Sequence, residues 1–127
     1  YANATVPKVT VMLDKAYGTA YTVMCSKAIG ADVVFAWPKS VIGTMDPEMA
    51  VKIMYEDEIA AAGDKLAYIN DKKTEYTEAL SGALSAARRG YVDDIIEPDA
   101  TRKRVIAALD MLFSKSEDRP FKKHGTI

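Results

Sequence analysis

Reactive side chains are scarce in this chain of 127 residues, which contains one cysteine, Cys25, and one histidine, His124. A single cysteine excludes a disulfide bond within the chain and is typical of a reducing compartment. The cysteine and the histidine lie far apart in the sequence, so no cluster of metal ligands is visible and we expect no bound metal. A nucleophile pair formed by these two side chains stays open on spacing alone, but only Lys27 would give the thiol an electropositive neighbour.

Long apolar runs and an excess of one charge are also missing. No run approaches the roughly 20 residues of a membrane span, and the first residues lack the basic and apolar regions of a signal peptide, so we expect a cytoplasmic protein. The formal net charge of −1 gives no field that attracts nucleic acid, and no nucleic-acid partner is expected. The chain begins with Tyr1 rather than methionine, which favours a segment of a longer protein.

The segments that are present alternate between strand and helix patterns. Short β-rich apolar runs bounded by turn residues predict strands, and apolar residues at helical spacing after capping residues predict helices. The predicted strands cover 9–13, 33–36, 40–43 and 91–96, and the predicted helices cover 20–27, 46–58, a longer stretch that ends at Gly90, and a last helix capped by Asp99. This order predicts an α/β fold, without the glycine-rich dinucleotide fingerprint or a P-loop.

The turn from Tyr17 to Tyr21 is the first candidate for chemistry. Gly18 permits a tight turn and a close approach of a ligand to the backbone. The free N–H groups at the start of the following helix can stabilise an oxygen that becomes negative. Most turns of this type are only turns, so the pattern alone is a weak signal.

The segment from Gly90 to Asp94, which contains the adjacent carboxylates Asp93 and Asp94, is the second candidate for chemistry. Neighbouring residues of a strand point to opposite sides, so these groups are not a paired acid and base. We expect them to cap the backbone, to pair with Arg88 or Arg89, or to face water.

Large apolar side chains are expected to pack rather than to bind. Trp37 and Tyr21 are candidates for lining a pocket, but packing in the core or at an interface is the commoner role. Met45, Met49 and Met54 are expected to fill the core. No set of nucleophile, base and orienting group is visible, so catalysis would depend on backbone N–H groups or on groups outside this chain.

Short motifs, in order along nearly the whole chain, resemble one family. They are Pro7–Val11, Lys15–Tyr21, Ser26–Asp32, Ala36–Pro38, Ile42–Met45, Ala50–Ile53, Ala86–Pro98, Thr101–Arg102 and Lys122–Gly125. Together they are similar to the C-terminal domain of biotin-dependent acyl-CoA carboxyltransferases. This family includes propionyl-CoA carboxylase β subunits, methylmalonyl-CoA and glutaconyl-CoA decarboxylase α subunits, and the transcarboxylase subunit.

The resemblance implies a crotonase-like (ClpP/crotonase) α/β fold with repeated ββα units. Residues 1–127 would form the incomplete C-terminal carboxyltransferase domain, and the related N-terminal acyl-CoA-binding domain is absent. In the family the active site lies where the N-terminal domain of one subunit meets the C-terminal domain of another, within a homo-oligomer. The fragment alone is therefore expected to be inactive. A catalytically silent module for assembly and biotin docking, within a larger carboxylase or decarboxylase complex, is the alternative.

The resemblance also implies a site at the Gly18 turn. The backbone N–H groups of Thr19 and Ala20 would form an oxyanion hole, for the biotin ureido oxygen or alternatively for the thioester oxygen. Gly18, Tyr21 and Thr22 would contact substrate, and Thr22 matches a position that influences the choice of acyl group. Thr19 stands where the family usually has glycine, but its backbone N–H remains.

The implied reaction moves a carboxyl group between biotin and a short acyl-CoA, such as propionyl-CoA or methylmalonyl-CoA. Biotin would arrive on a carrier protein, since this chain has no Met-Lys-Met biotinylation motif. In the family's proposed chemistry the ureido nitrogen takes the α-proton, which explains why no catalytic triad is visible. A decarboxylase would have a membrane subunit as an additional partner. Gly82, Ala83 and Leu84 stand where the family usually has Asn-Pro-Tyr.

Overall fold

The structure is a computed structural model that describes residues 1–120, so His124 and the motif at 122–125 lie outside the described residues. The strands are β1 (Val9–Met12), β2 (Lys15–Tyr17), β3 (Val33–Ala36), β4 (Val41–Gly43) and β5 (Asp94–Ile95). The helices are α1 (Gly18–Val23), α2 (Pro47–Met54), α3 (Glu56–Ala61), α4 (Lys65–Tyr76), α5 (Ala83–Arg88) and α6 (Thr101–Met111). Short 3-10 turns lie at Lys27–Ile29 and Pro98–Ala100, and a π-helical turn lies at Thr77–Ser81.

The strands form two small parallel sheets. The three-stranded sheet has the order β1-β3-β5, with Val9 opposite Val33, and the two-stranded sheet pairs β2 with β4, with Lys15 opposite Val41. In the central strand β3, Val34 and Ala36 are fully buried. Parallel strands covered on both faces read as continuous apolar runs, which is why β1 and β3 were predictable from the sequence.

The predicted strands at 9–13, 33–36 and 40–43 are confirmed, and the α/β alternation with them. The strand predicted at 91–96 is shorter, because only Asp94 and Ile95 are in ladder positions. Its neighbours still bond to β3: the N–H of Asp93 donates to the carbonyl of Val34, and the N–H of Ile96 donates to that of Ala36. Strand β2 was not predicted, since three residues carry no alternation pattern.

The helix bounds differ more than the strand bounds. Helix α1 begins at Gly18 and ends at Val23 rather than running over 20–27, and Cys25 follows in a left-handed conformation with φ 66°. The predicted helix at 46–58 divides at Tyr55, whose φ of −120° is not helical. The predicted cap at Asp46 is confirmed, because its carboxylate accepts from the N–H of Glu48.

The long predicted helix is also divided. After α4 and the π-helical turn, Gly82 is extended with ψ 156°, and α5 begins at the next residue. The predicted end at Gly90 is confirmed by its left-handed φ of 81°. The predicted cap at Asp99 is wrong, since a 3-10 turn leads into α6 and the cap residue Ala100 has no side-chain cap bond.

Several apolar side chains predicted for the core are exposed instead. Met45, Met49 and Met54 have exposed fractions of 39%, 53% and 57%, so their prediction as core fillers is wrong. On α6, Ile106 is 49% exposed, and beyond its end Phe113 is 91% exposed. A helical apolar stripe marks a surface that is covered, but the pattern does not say by what. No helix within residues 1–120 is long and apolar enough to cross a bilayer.

The side chain of Asp93 connects separate parts of the fold. Its carboxylate accepts from the N–H of Val34 at 2.8 Å and from Lys27 Nζ at 2.6 and 2.8 Å. Lys27 Nζ also donates to the carbonyl of Asp32 at 3.0 Å. Of the three expected roles, the bond to the backbone is confirmed for Asp93. Pairing with Arg88 or Arg89 is not found within residues 1–120, since Asp94 is half exposed and its partner is Arg104 at 3.9 Å.

These contacts predict that the two adjacent aspartates contribute unequally to stability. Asp93→Ala removes bonds to a backbone N–H and to a lysine, so we expect it to lower the free energy of unfolding by about 1–3 kcal/mol. Asp94→Ala removes only an exposed, long ion pair and is expected to change it by about 0.5 kcal/mol or less. Urea unfolding followed by circular dichroism measures both. Equal effects of the two substitutions would contradict the structural role of Asp93.

Candidate functional site at the Gly18 turn

Strand β2 passes directly into α1 at Gly18, and the geometry there requires glycine. Gly18 has φ 59°, and a Cβ at this position would lie 3.3 Å from the carbonyl oxygen of Thr44. The left-handed region costs an ordinary L-residue roughly 1–2 kcal/mol. The missing side chain therefore permits both the turn and the close approach to the chain after β4.

The first turn of α1 presents backbone donors without partners from the helix. The cap residue Tyr17 is extended and its side chain makes no cap bond, and the first turn has no acidic residue. The first N–H groups of a helix have no acceptor within it. Thr19 and Ala20 occupy these positions and are exposed. Their N–H groups are thus available to an oxygen that carries negative charge.

A cavity of about 480 Å³ opens beside α1. Its lining includes Gly18, Thr19, Tyr21 and Thr22 of α1, and Tyr76, Leu80, Arg89 and Tyr91 from later in the chain. Four of the five residues predicted for the site therefore lie on one cavity. The fifth, Ala20, lines a second depression of about 520 Å³ beside β2, to which Tyr21 also contributes.

The lining residues from later in the chain were not predicted to share a site with Gly18, although Tyr91 belongs to the second candidate segment. Tyr76, Leu80, Arg89 and Tyr91 are distant from Gly18 in sequence, and no local pattern connects them to it. The only signal was the motif at 86–98, which carried the family resemblance without a role for Arg89. Trp37 does not line the cavity: its Nε1 donates to Thr101 Oγ1 at 2.9 Å and its ring packs against a separate core, as the packing interpretation predicted.

Two buried hydroxyls of cavity-lining residues have no hydrogen-bond partner among residues 1–120. They belong to Tyr21 and to Ser26, whose exposed fraction is 1%. Burial, and secondarily the neighbouring Tyr91, raises the pKa of the Tyr21 phenol above its ordinary value of 10.0, so it is neutral at physiological pH. The hydroxyl of Thr22 differs, because it donates to the carbonyl of Gly18 at 3.2 Å.

The charge of the cavity comes from one residue. Among residues 1–120, Arg89 is the only charged side chain of the lining, and no aspartate, glutamate, histidine or cysteine of this part of the chain contributes to it. Cys25 is buried outside the lining, and its carbonyl accepts from Thr10 Oγ1 at 2.7 Å. Within residues 1–120 no three His, Cys, Asp or Glu side chains are grouped as a metal site would require. The cavity thus offers neutral hydroxyls, backbone donors and one cation.

Comparison with known proteins shows which family has this architecture. The carboxyl transferase domain family matches residues 1–127. The chain is 50% identical to methylmalonyl-CoA decarboxylase subunit alpha of Propionigenium modestum and 52% identical to the propionyl-CoA carboxylase carboxyltransferase subunit of Haloferax mediterranei. Both matches cover 100% of this chain and 25% of the relative.

A crystal structure of the transcarboxylase 12S hexamer, with methylmalonyl-coenzyme A and methylmalonic acid bound, superimposes with a TM-score of 0.91 at 46% identity. That match covers 99% of this chain and 24% of the larger one. The fold is therefore crotonase-like, as expected, and forms part of a larger domain. The chain belongs to the carboxyl transferase domain family. It spans about a quarter of the length of the curated relatives it matches.

The turn geometry predicts a graded series of glycine substitutions. Gly63→Ala meets open space at an ordinary φ and should leave the free energy of unfolding within about 0.5 kcal/mol. Gly90→Ala should lower the free energy of unfolding by about 1–2 kcal/mol, because the left-handed backbone strains any residue with a Cβ. Gly18→Ala adds the contact to the carbonyl oxygen of Thr44 and should lower the free energy of unfolding further. Thermal unfolding measures the order, and a Gly18→Ala protein as stable as Gly63→Ala would contradict it.

The unpartnered phenol predicts a second result. Tyr21→Phe removes a buried hydroxyl that makes no hydrogen bond, so the free energy of unfolding should stay unchanged or rise by up to about 1 kcal/mol. Ser26→Ala should behave in the same way. Calorimetry measures both variants. A loss above about 1 kcal/mol would mean that the hydroxyl has a partner, such as an ordered water.

Proposed function

We propose that residues 1–127 form the C-terminal domain of a biotin-dependent acyl-CoA carboxyltransferase and contribute half of its active site. The reaction moves a carboxyl group between biotin and a short acyl-CoA, such as propionyl-CoA or methylmalonyl-CoA. The observation that carries this proposal is the uncapped first turn of α1 at Gly18, beside a cavity, in a chain of the carboxyl transferase domain family.

The composition of the cavity supports catalysis by position and charge. Its lining has no nucleophile paired with a base, so a covalent protein intermediate has no candidate residue there. Backbone N–H groups that are fixed by the turn need no reorganisation when an oxygen becomes negative, and such preorganised donors supply large rate effects. Biotin, when bound, supplies the ureido nitrogen that exchanges the carboxyl group for the α-proton of the acyl group.

The residues present suit the biotin end of the reaction. A volume of about 480 Å³ is in the range of small-molecule sites. The rings of Tyr76 and Tyr91 offer apolar surface for a fused bicycle. The N–H groups of Thr19 and Ala20 would donate to the ureido oxygen, with the thioester oxygen as the alternative acceptor. Gly18, Tyr21 and Thr22 would contact substrate.

The exposed apolar side chains of the helices are an argument for partner proteins that cover them. Met49 and Ile53 lie one turn apart on α2 with exposed fractions of 53% and 64%. The proposed partners are a biotin carrier protein and the N-terminal carboxyltransferase domain of a second subunit, within a cytoplasmic homo-oligomer. The transcarboxylase 12S relative forms a hexamer. If the protein is a decarboxylase, as the Propionigenium modestum relative is, a membrane subunit is a further partner.

The same faces favour one alternative, a silent module for assembly and biotin docking. The two functions differ in whether the Gly18 turn takes part in chemistry. In a docking module, deletion of a backbone donor at this turn would leave the rate of carboxyl transfer unchanged. In the proposed enzyme the rate depends on that donor.

Substitution of the turn in the complete subunit tests the proposal. Thr19→Gly keeps the N–H and should leave the transfer rate near its starting value. Ala20→Pro deletes one donor, and loss of an oxyanion-hole donor costs on the order of 10²–10³ in rate. Steady-state transfer from carboxybiotin to propionyl-CoA measures both variants.

Folding is the necessary control for the proline variant. Proline is tolerated in the first turn of a helix, where its missing N–H has no intrahelical acceptor. Circular dichroism and thermal unfolding should therefore match those of Thr19→Gly. A well-folded Ala20→Pro subunit with normal turnover would overturn the assignment of the turn.

A further inference from the structure

Among residues 1–120, Arg89 is the only charged side chain that lines the cavity. It follows α5 in the chain, whereas the backbone donors belong to α1. No aspartate or glutamate in residues 1–120 lies within ion-pair distance of its guanidinium, although carboxylates are abundant elsewhere on the surface. A cavity with a cation and no acid attracts an anionic ligand group.

The guanidinium of Arg89 is held in place but only partly used. Nη2 donates to the carbonyl of Leu80 and to Ser85 Oγ, the latter at 2.9 Å, and Nε donates to the carbonyl of Ser85 at 3.2 Å. Nη1 makes no hydrogen bond with any residue of the described chain. The planar group therefore has a fixed orientation and two unused N–H donors, which is the arrangement that loses least entropy when it binds an anion.

Its neighbour Arg88 provides the contrast. Arg88 is exposed and does not line the cavity, and its side chain makes no hydrogen bond or ion pair within residues 1–120. Of these two adjacent arginines, only Arg89 has a guanidinium that hydrogen bonds hold in one orientation, and only Arg89 lines the cavity.

We propose that Arg89 binds a carboxylate through Nη1, and that this carboxylate is the group being transferred. The inference rests on the proposed function, which supplies carboxylates from two sources: the acyl group of a carboxylated acyl-CoA, or the carboxyl group carried by biotin. Arginine suits this chemistry because its planar fork matches a carboxylate and stays charged at every physiological pH. Arg89 is then a substrate-binding residue that the α1 donors do not replace.

Ligand binding to the complete subunit separates carboxylate recognition from other roles. Arg89→Gln and Arg89→Lys are compared with the control Arg88→Gln, using methylmalonyl-CoA, which has the carboxylate, and propionyl-CoA, which lacks it. Loss of a hydrogen bond to a charged group corresponds to about 10-fold or more in affinity. We expect Arg89→Gln to weaken the binding of methylmalonyl-CoA by that factor. The Kd of propionyl-CoA should change by less than about twofold. Arg89→Lys keeps the charge and should retain part of the affinity.

The second arm locates the carboxylate. If it is the one carried by biotin, the Kd of both coenzyme A esters stays constant, and the KM for carboxybiotin rises about 10-fold or more instead. Either selective effect supports the proposal, provided that Arg88→Gln behaves as the unchanged protein. Equal weakening of both coenzyme A esters would indicate a contact with their phosphates or a structural defect, and would overturn it. No change in either arm would overturn it as well.

Failure of this inference and failure of the proposed function give different results. If the unchanged complete subunit transfers no carboxyl group, the proposed function fails, but equilibrium binding of the two esters still measures the role of Arg89. If transfer occurs and Arg89→Gln alters neither ester binding nor the KM for carboxybiotin, only the role of Arg89 is wrong. Thermal unfolding of Arg89→Lys shows whether the bonds to Leu80 and Ser85 are needed for the fold.

Discussion

The close approach of the chain to the carbonyl oxygen of Thr44 at Gly18 is the constraint on which the site depends. A side chain there would meet that oxygen at 3.3 Å, in a backbone conformation that already disfavours any Cβ. Because glycine removes both costs, β2 can pair with β4 and enter α1 without an intervening loop. The first-turn donors of α1 consequently lie at the end of a paired strand, where they are fixed rather than mobile.

An ion pair connects two segments that contribute to the cavity. Lys27 follows α1, and Asp93 follows α5, so their ion pair joins the segment after α1 to the segment after α5. The carboxylate also accepts from the N–H of Val34 in the central strand. Arg89 and Tyr91 lie just before Asp93 in the chain, so this contact anchors the segment that presents them to the cavity.

A structural element can be predicted from the sequence when the residues that cause it lie close together in the chain. Strand β3 is buried on both faces and β1 is half-buried, and their continuous apolar runs are visible in the sequence. Strand β2 exists only through its pairing with β4, which no local pattern contains. Met49 and Phe113 are exposed, so the rule that places apolar side chains in the core fails for them. The family resemblance indicated the Gly18 turn, whereas Arg89 became a candidate only through the lining of the cavity.

In the proposed function this segment contributes half of a site, and the chemistry of the cavity is consistent with that division. Backbone donors and a guanidinium act strongly on a negative oxygen only where water is excluded, because water screens the interaction and competes for the same hydrogen bonds. Thr19, Ala20 and Arg89 are all exposed in this chain. Their electrostatic effect is therefore small until another surface closes over the cavity. The exposed apolar side chains of α2 and α6 provide the area through which such a surface can be bound. In the proposed enzyme, catalysis and association are thus coupled, since a partner that covers the apolar faces would also create the dry environment in which the donors act.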